Sequence, residues 1–164
     1  MHITQYTLLY YKGEHSMKRS ICGADCEKCP SKNSCHGCAE TNGCPFGKEC
    51  FVARYILTGG MEAYESFKNK LIEEINALDI AGMDKVIELV PLVGRFVNLS
   101  YRLPSGEGAR FLKDDEMYLG AQVADLLDDT KTKHFGVIAR ESFIIVCEYA
   151  TDLDNAELLV YKRR

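Results

Sequence analysis

Seven cysteines crowd into "CGADCEKCPSKNSCHGCAETNGCPFGKEC", at Cys22, Cys26, Cys29, Cys35, Cys38, Cys44 and Cys50, while the eighth, Cys147, stands far off. Thiolate sulfur is the soft donor that zinc and iron–sulfur clusters take. Cys26/Cys29 and Cys35/Cys38 have the Cys-x2-Cys spacing with which a tight turn aims two sulfurs at one ion, and a tetrahedral ion needs two such pairs. His36 is a further donor in the same stretch. Seven thiolates and one imidazole would close two four-ligand sites, although His36 equally suits an exposed turn. The expected metal ligands are therefore Cys22, Cys26, Cys29, Cys35, Cys38, Cys44, Cys50 and His36. The expected cofactor is zinc, one or two ions, with an iron–sulfur cluster as the alternative.

The energetics point the same way. Between Cys22 and Cys50 the large apolar residues reduce to Phe46. Ordering such a segment costs roughly 1–2 kcal/mol of backbone entropy per residue, and burial within it cannot offset that. Structural zinc contributes on the order of 10–16 kcal/mol of apparent binding free energy per site, much of it as folding free energy. Disulfides are the competing staple. The opening "MHITQYTLLYYKGEHS" lacks the basic start, long apolar centre and small-residue cleavage site of an export signal. A reducing cytoplasm is then the expected compartment, where clustered cysteines serve metal or redox chemistry.

Two details keep an iron–sulfur cluster open as the alternative to zinc. The Cys-x3-Cys-x2-Cys spacing of Cys22, Cys26 and Cys29 matches that of radical enzymes using S-adenosylmethionine. Cys29-Pro30 and Cys44-Pro45 echo the proline after a ferredoxin ligand, without the Cys-x2-Cys-x2-Cys-x3-Cys-Pro run. The radical-enzyme reading fails on length, because the chain beyond the motif is too short for a βα barrel.

"CGADCEKCP" followed by "CHGC" and further cysteines resembles a prokaryotic cysteine-rich family, domain of unknown function 3795. "GRFVNLSYRLPSGEGARFLKDDEMYLGAQV" and "GVIARESFIIVCEYA" are similar to C-terminal regions of some members, so the resemblance spans about residues 20–164. It implies a metal-binding module in a small cytosolic protein and supplies no reaction. Histidine is not required at the position of His36 in that family. If His36 does not ligate, seven cysteines leave either an open metal position or a thiolate shared between two ions.

Around the cysteines the chain reads as α+β. Residues 1–16 form a weakly patterned extension, with Met17 as an alternative start; 17–58 hold the cysteine module and a following helix; 59–164 form an α+β domain. Phe51, Val52, Tyr55 and Ile56 share one face of a helix over about 48–57, ended by Thr58-Gly59-Gly60. Met61, Tyr64, Phe67, Leu71, Ile75 and Leu78 make the apolar stripe of a second, over 61–78. "MDKVIELV" (83–90) reads as a third, short helix stopped by Pro91. Strands are expected at 96–103, 109–112, 116–123, 134–139, 143–149 and 157–164. Together they predict an antiparallel sheet of about five strands behind two or three helices.

Charge narrows the partners. The protein of 164 residues has a net charge of −4. Up to Gly60 there are seven Lys or Arg against five Asp or Glu; beyond it, thirteen against nineteen. Neither part offers the basic footprint of a nucleic-acid binder, and no apolar run is long enough to span a membrane. Other constellations read as structural. Cys147 belongs on a buried strand face with Phe143, Ile145 and Tyr149, and nothing orients His134 as its base. Asp114-Asp115-Glu116 and Asp125, Asp128 and Asp129 read as solvated turns, and "GEG" (106–108) is too short and acidic to cradle phosphate. With no catalytic residue singled out, the expectation is a zinc-binding protein whose metal is mainly structural, binding a protein or a small ligand. The alternative is a metal-dependent enzyme or redox carrier with an open metal position.

Overall fold

A computed structural model describes residues 20–27, 32–97, 99–124, 133–150 and 156–164. The expectations for residues 1–16, Met17, Cys29, Asp125, Asp128 and Asp129 lie outside the described residues. The first element of the described residues is helix α1 (Phe51–Asn76), followed by strand β1 (Val90–Val93), a single 3-10 turn (Gly94–Phe96), and strands β2 (Ser100–Arg102) and β3 (Gly108–Arg110). Strands β4 (Met117–Ala124), β5 (Lys133–Ala139), β6 (Phe143–Ala150) and β7 (Glu157–Arg163) complete the order.

The two helices expected at 48–57 and 61–78 are the two arms of α1. Gly60, at φ 73° and ψ 179°, breaks the helix between them. Only a residue without Cβ takes that conformation at little cost. Across the break Tyr55 stacks on Phe67, with ring centroids 4.5 Å apart, and Phe51 meets Phe67 edge-on at 6.1 Å. Of the apolar stripe, Tyr64, Phe67, Leu71 and Ile75 are buried, while Met61 at its start is exposed.

The helix expected at 83–90 is absent; those residues are irregular and lead into β1. Asn76 supplies the reason. Its side-chain amide donates to the Val86 carbonyl (2.9 Å), and its carbonyl oxygen accepts from the Val86 N–H (2.8 Å). Both backbone groups of Val86 are thereby satisfied without a helix. Val86 and Leu89 are buried while Ile87 is 90% exposed, so two anchors three residues apart imitate helical spacing. Pro91 then sits in β1, an edge strand, where a missing N–H is tolerated.

The sheet is antiparallel throughout, in the order β1-β4-β5-β6-β7. Its five strands agree with the expected number, but β1 stands just after the expected helix, where no strand was expected. The strands expected at 96–103 and 109–112 are shorter and form a separate ribbon, β2 with β3. Both faces of the sheet are covered. Phe135, Val137, Ile144 and Val146 pack toward α1; Ile138, Ile145 and Cys147 pack with Val97, Leu99 and Leu112 on the other side. Two-sided burial explains why "HFGVIA" and "FIIVCEY" are nearly continuous apolar runs. The centre of the sheet is thus a rigid wall, and β1 and β4 carry that wall to the cysteines.

Candidate metal centre

Residues 20–27 and 32–50 contain no helix or strand. Turn hydrogen bonds hold the second stretch: Gly43 N–H to Cys38 O (2.7 Å), Cys50 N–H to Gly43 O (2.8 Å) and His36 N–H to Pro45 O (2.9 Å). Gly43 is fixed by two constraints. Its φ is +87°, and a Cβ would stand 3.3 Å from Leu57 Cδ1 of the first helical arm. Surface groups tether the loop to the sheet side. Lys48 pairs with Asp115 at 2.8 Å, and Arg95 donates to Ser34 Oγ at 3.0 Å while lying over the Phe46 ring.

This loop brings five of the expected ligands to one cavity of about 50 Å³: Cys22, Cys26, Cys35, Cys38 and Cys50. Its remaining wall is largely apolar. Phe46 and Pro45 come from the loop, Ala53 from α1, Pro91 and Val93 from β1, and Met117 from β4. None of the described cysteines is joined in a disulfide. Cys44 is half-buried and His36 exposed, and neither lines the cavity. Cys29 lies outside the described residues.

The sulfurs already receive donors. Ile21 N–H donates to Cys38 Sγ at 2.9 Å and Gly37 N–H to Cys35 Sγ at 3.3 Å; Ser20 Oγ and Cys22 Sγ are 3.4 Å apart. Such outer contacts orient metal ligands. Cys50 occupies the residue before the first turn of α1, where the helix dipole favours negative charge. Burial nevertheless dominates and pushes its thiol up to about 11, against the pull of the Ala53 and Val52 amides and with Cys22 and Cys38 adding repulsion. Burial also raises Cys38, with the Ile21 amide opposing and the neighbouring Cys22 reinforcing. Burial thus favours the neutral thiol at both. Tyr64, in the same apolar cluster as Cys50, has a hydroxyl with no hydrogen-bond partner among the described residues.

The donor chemistry fits a thiophilic ion: soft sulfurs, N–H groups aimed at two of them, and a dry wall. Among the described residues, no group of three or more His, Cys, Asp or Glu side chains is arranged to hold a metal ion. The five sulfurs share a cavity without converging on one point.

The other candidate sites have settled partners. Asp114 pairs with Arg110 (2.6 Å), Asp115 with Lys48, and Glu116 with Lys113 (3.0 Å) and Arg140, which leaves no open acidic cup. Cys147 donates to Gly136 O at 3.4 Å, and burial pushes its thiol up to about 11; His134 stacks on Tyr149. The described part of the chain contains no helix long and apolar enough to cross a membrane.

Sequence reasoning found the cysteines but missed what surrounds them. Cys50 directly precedes the apolar run of α1, a signal that it starts a helix and leaves the loop. Pro91, Val93 and Met117 come from strands far along the chain, and no local spacing announces them. No family model, curated protein or solved structure matches this chain. The family resemblance therefore stands on the quoted residues alone.

Proposed function

We propose that this protein is a zinc-binding protein whose metal orders residues 20–50 against the sheet, making a rigid surface for a protein or small ligand. The observation that carries the reading is the gathering of Cys22, Cys26, Cys35, Cys38 and Cys50 at one cavity. A segment with this little apolar burial needs another source of stability, and thiolate–zinc bonds supply it. Four of the five thiols suffice for a tetrahedral site; the fifth, with Cys44, Cys29 and His36, is available to a second ion. Zinc would supply charge compensation there, holding sulfurs deprotonated that burial otherwise keeps protonated. The Ile21 and Gly37 amides orient Cys38 and Cys35, and Ala53, Pro91, Val93 and Met117 exclude water.

Elemental analysis of untagged protein purified without added metal tests this directly. One or two zinc ions per chain, with the loop cysteines protected from alkylation until a chelator is added, is the expected result. Metal-free protein whose loop thiols all alkylate at once would end the reading. An iron–sulfur cluster is the second reading. It is favoured by the fifth cysteine and the apolar wall, which suit a group larger than one ion. Brown protein with broad visible absorption under anaerobic conditions, and iron in place of zinc, would establish it.

A further inference from the structure

The two edges of the sheet differ. β1 is four residues long, contains Pro91, and shares the cysteine cavity with the loop through Pro91 and Val93. Shortness, proline and cover keep an edge strand from pairing further. β7 is seven residues long and has no proline, and among the described residues no strand lies on its outer side. Leu158, Leu159 and Tyr161 are exposed on it, at 39%, 38% and 54%. Leu159 is the extra residue of a bulge: Val160 pairs with Val146 and Leu158 with Cys147, and Leu159 has no opposite number. The bulge re-aims the side chains. Tyr161 lies opposite Ile145 and Leu158 opposite Cys147, and Ile145 and Cys147 belong to the cluster on the side away from α1. Leu158 and Tyr161, three positions apart, therefore share a face, which strict alternation would forbid. Glu157 and Lys162 fall on the α1 side, where Lys162 meets Glu74 at 3.7 Å.

We propose that β7 pairs with β7 of a second copy of this chain, antiparallel about a twofold axis that passes between Leu159 and Val160. The interface is then one patch used by both copies. Leu159 stands opposite Val160, Leu158 opposite Tyr161 and Glu157 opposite Lys162, and each pair occurs twice. A bulge guards an edge against a regular strand. Against its own copy the two bulges coincide, and residues set opposite one another keep the same face. Every exposed large apolar side chain of the strand then meets another apolar one. Charge selects the antiparallel orientation. Glu157 forms no ion pair among the described residues, and Arg164 holds both carboxylate oxygens of Glu74 at 2.7 and 3.0 Å, which leaves Lys162 only its long contact. In-register parallel pairing would set lysine against lysine. Seven residues per copy fall short of the roughly 20–30 a side of a standard interface. The dimer is therefore reversible and concentration-dependent.

Sedimentation velocity of the purified chain over a concentration series tests the proposal, with reductant present so that disulfide-linked chains do not count. The expected result is a monomer that converts to a dimer as concentration rises. Glu157→Lys should raise the dimer dissociation constant about tenfold, because like charges then face each other at two places. Leu158→Glu should weaken the dimer at least as much. Combining Glu157→Lys with Lys162→Glu restores opposite charges and should bring the constant back toward wild type. Urea midpoints taken at low concentration, where the chain is monomeric, should stay near the wild-type value and show that each variant is folded. A chain that is monomeric at every concentration would overturn the pairing and leave β7 as an edge for some other extended segment. A dimer that Glu157→Lys and Leu158→Glu leave unchanged would overturn it too, by placing the contact elsewhere. Failure of the charge swap to recover the dimer would overturn the register about Leu159 and Val160.

Discussion

Residues 20–50 and the sheet domain are stabilised by different physics. In β5 and β6, Phe135, Val137, Ile138, Ile144, Ile145 and Val146 are each at most 2% exposed, and ladder hydrogen bonds pair their backbones. Burial of apolar surface alone accounts for order there. Among the described residues of the cysteine loop, the buried ones are Ser20, Gly37, Gly43, Pro45 and Cys50, which together offer little apolar surface. Its order rests on a few turn bonds, two tethers and whatever the sulfurs hold. The loop nevertheless shares a cavity with β1 and β4, so the two kinds of order meet there. That asymmetry can be broken experimentally.

Metal removal gives the largest expected effect. Stripping zinc from the loaded protein removes on the order of 10–16 kcal/mol of site binding free energy. In hydrogen exchange, the amides of Ile21, Gly43 and Cys50 should lose protection while those of Val137 and Val146 keep it. Equal protection with and without metal at Gly43 and Cys50 would sink the idea that sulfur chemistry orders the loop. Ile144→Ala is the reciprocal experiment. Ile144 is fully buried between α1 and the sheet, and its truncation should cost about 2–5 kcal/mol. Urea melts should show that loss in both metal-loaded and metal-free protein. A loss that appears only with metal bound would mean that the two regions fold as one unit.

The same division governs what the sequence made legible. The apolar runs that became β5 and β6 were readable because two-sided burial leaves a local mark on composition; β7 was readable as an apolar run although it is largely exposed. The helical arms were readable from the stripe through Phe67, Leu71 and Ile75 and from the glycine pair between them. The 83–90 segment misled because Val86 and Leu89 have helical spacing, while the Asn76 side chain that prevents a helix is a tertiary contact. At the site, the donors were legible as residue types. Their grouping was not, because the cavity is closed by Pro91, Val93 and Met117, and which five cysteines meet depends on how the loop lies against that wall. His36 shows the limit from the other side: a good donor in a suggestive place, it faces solvent outside the cavity.

Smaller effects probe the seam between the regions. Gly94 follows β1 and donates to Glu116 O at 3.0 Å. A Cβ there would stand 2.0 Å from Lys113 O and 2.9 Å from Tyr118 Cε2. Backbone cannot yield as a side chain can, so Gly94→Ala should destabilise the domain by about 1–3 kcal/mol. The shift of β1 should also loosen the cavity wall, read as faster zinc loss to a chelator. Destabilisation without faster loss would show that β1 merely abuts the site.

The smallest expected effect belongs to Arg95, which reaches from the 3-10 turn to the loop. Its guanidinium donates to Ser34 Oγ (3.0 Å) and to Asp114 O (3.1 Å), and it lies 5.5 Å from the centre of the Phe46 ring. At an exposed site a cation over an aromatic face contributes about 0.5–1 kcal/mol. Arg95→Ala should therefore lower the local stability of the loop by that order and leave the global urea midpoint nearly unchanged. A double-mutant cycle with Phe46→Leu isolates the ring contact, because leucine keeps an apolar wall while removing the π face. Coupling of about 0.5–1 kcal/mol, read from exchange at the His36 and Gly43 amides, is expected in metal-loaded protein. The metal-free protein should show none, since the unanchored loop no longer presents Phe46 to Arg95. Equal coupling in both states would mean that this tether, and not sulfur, places the loop on the sheet.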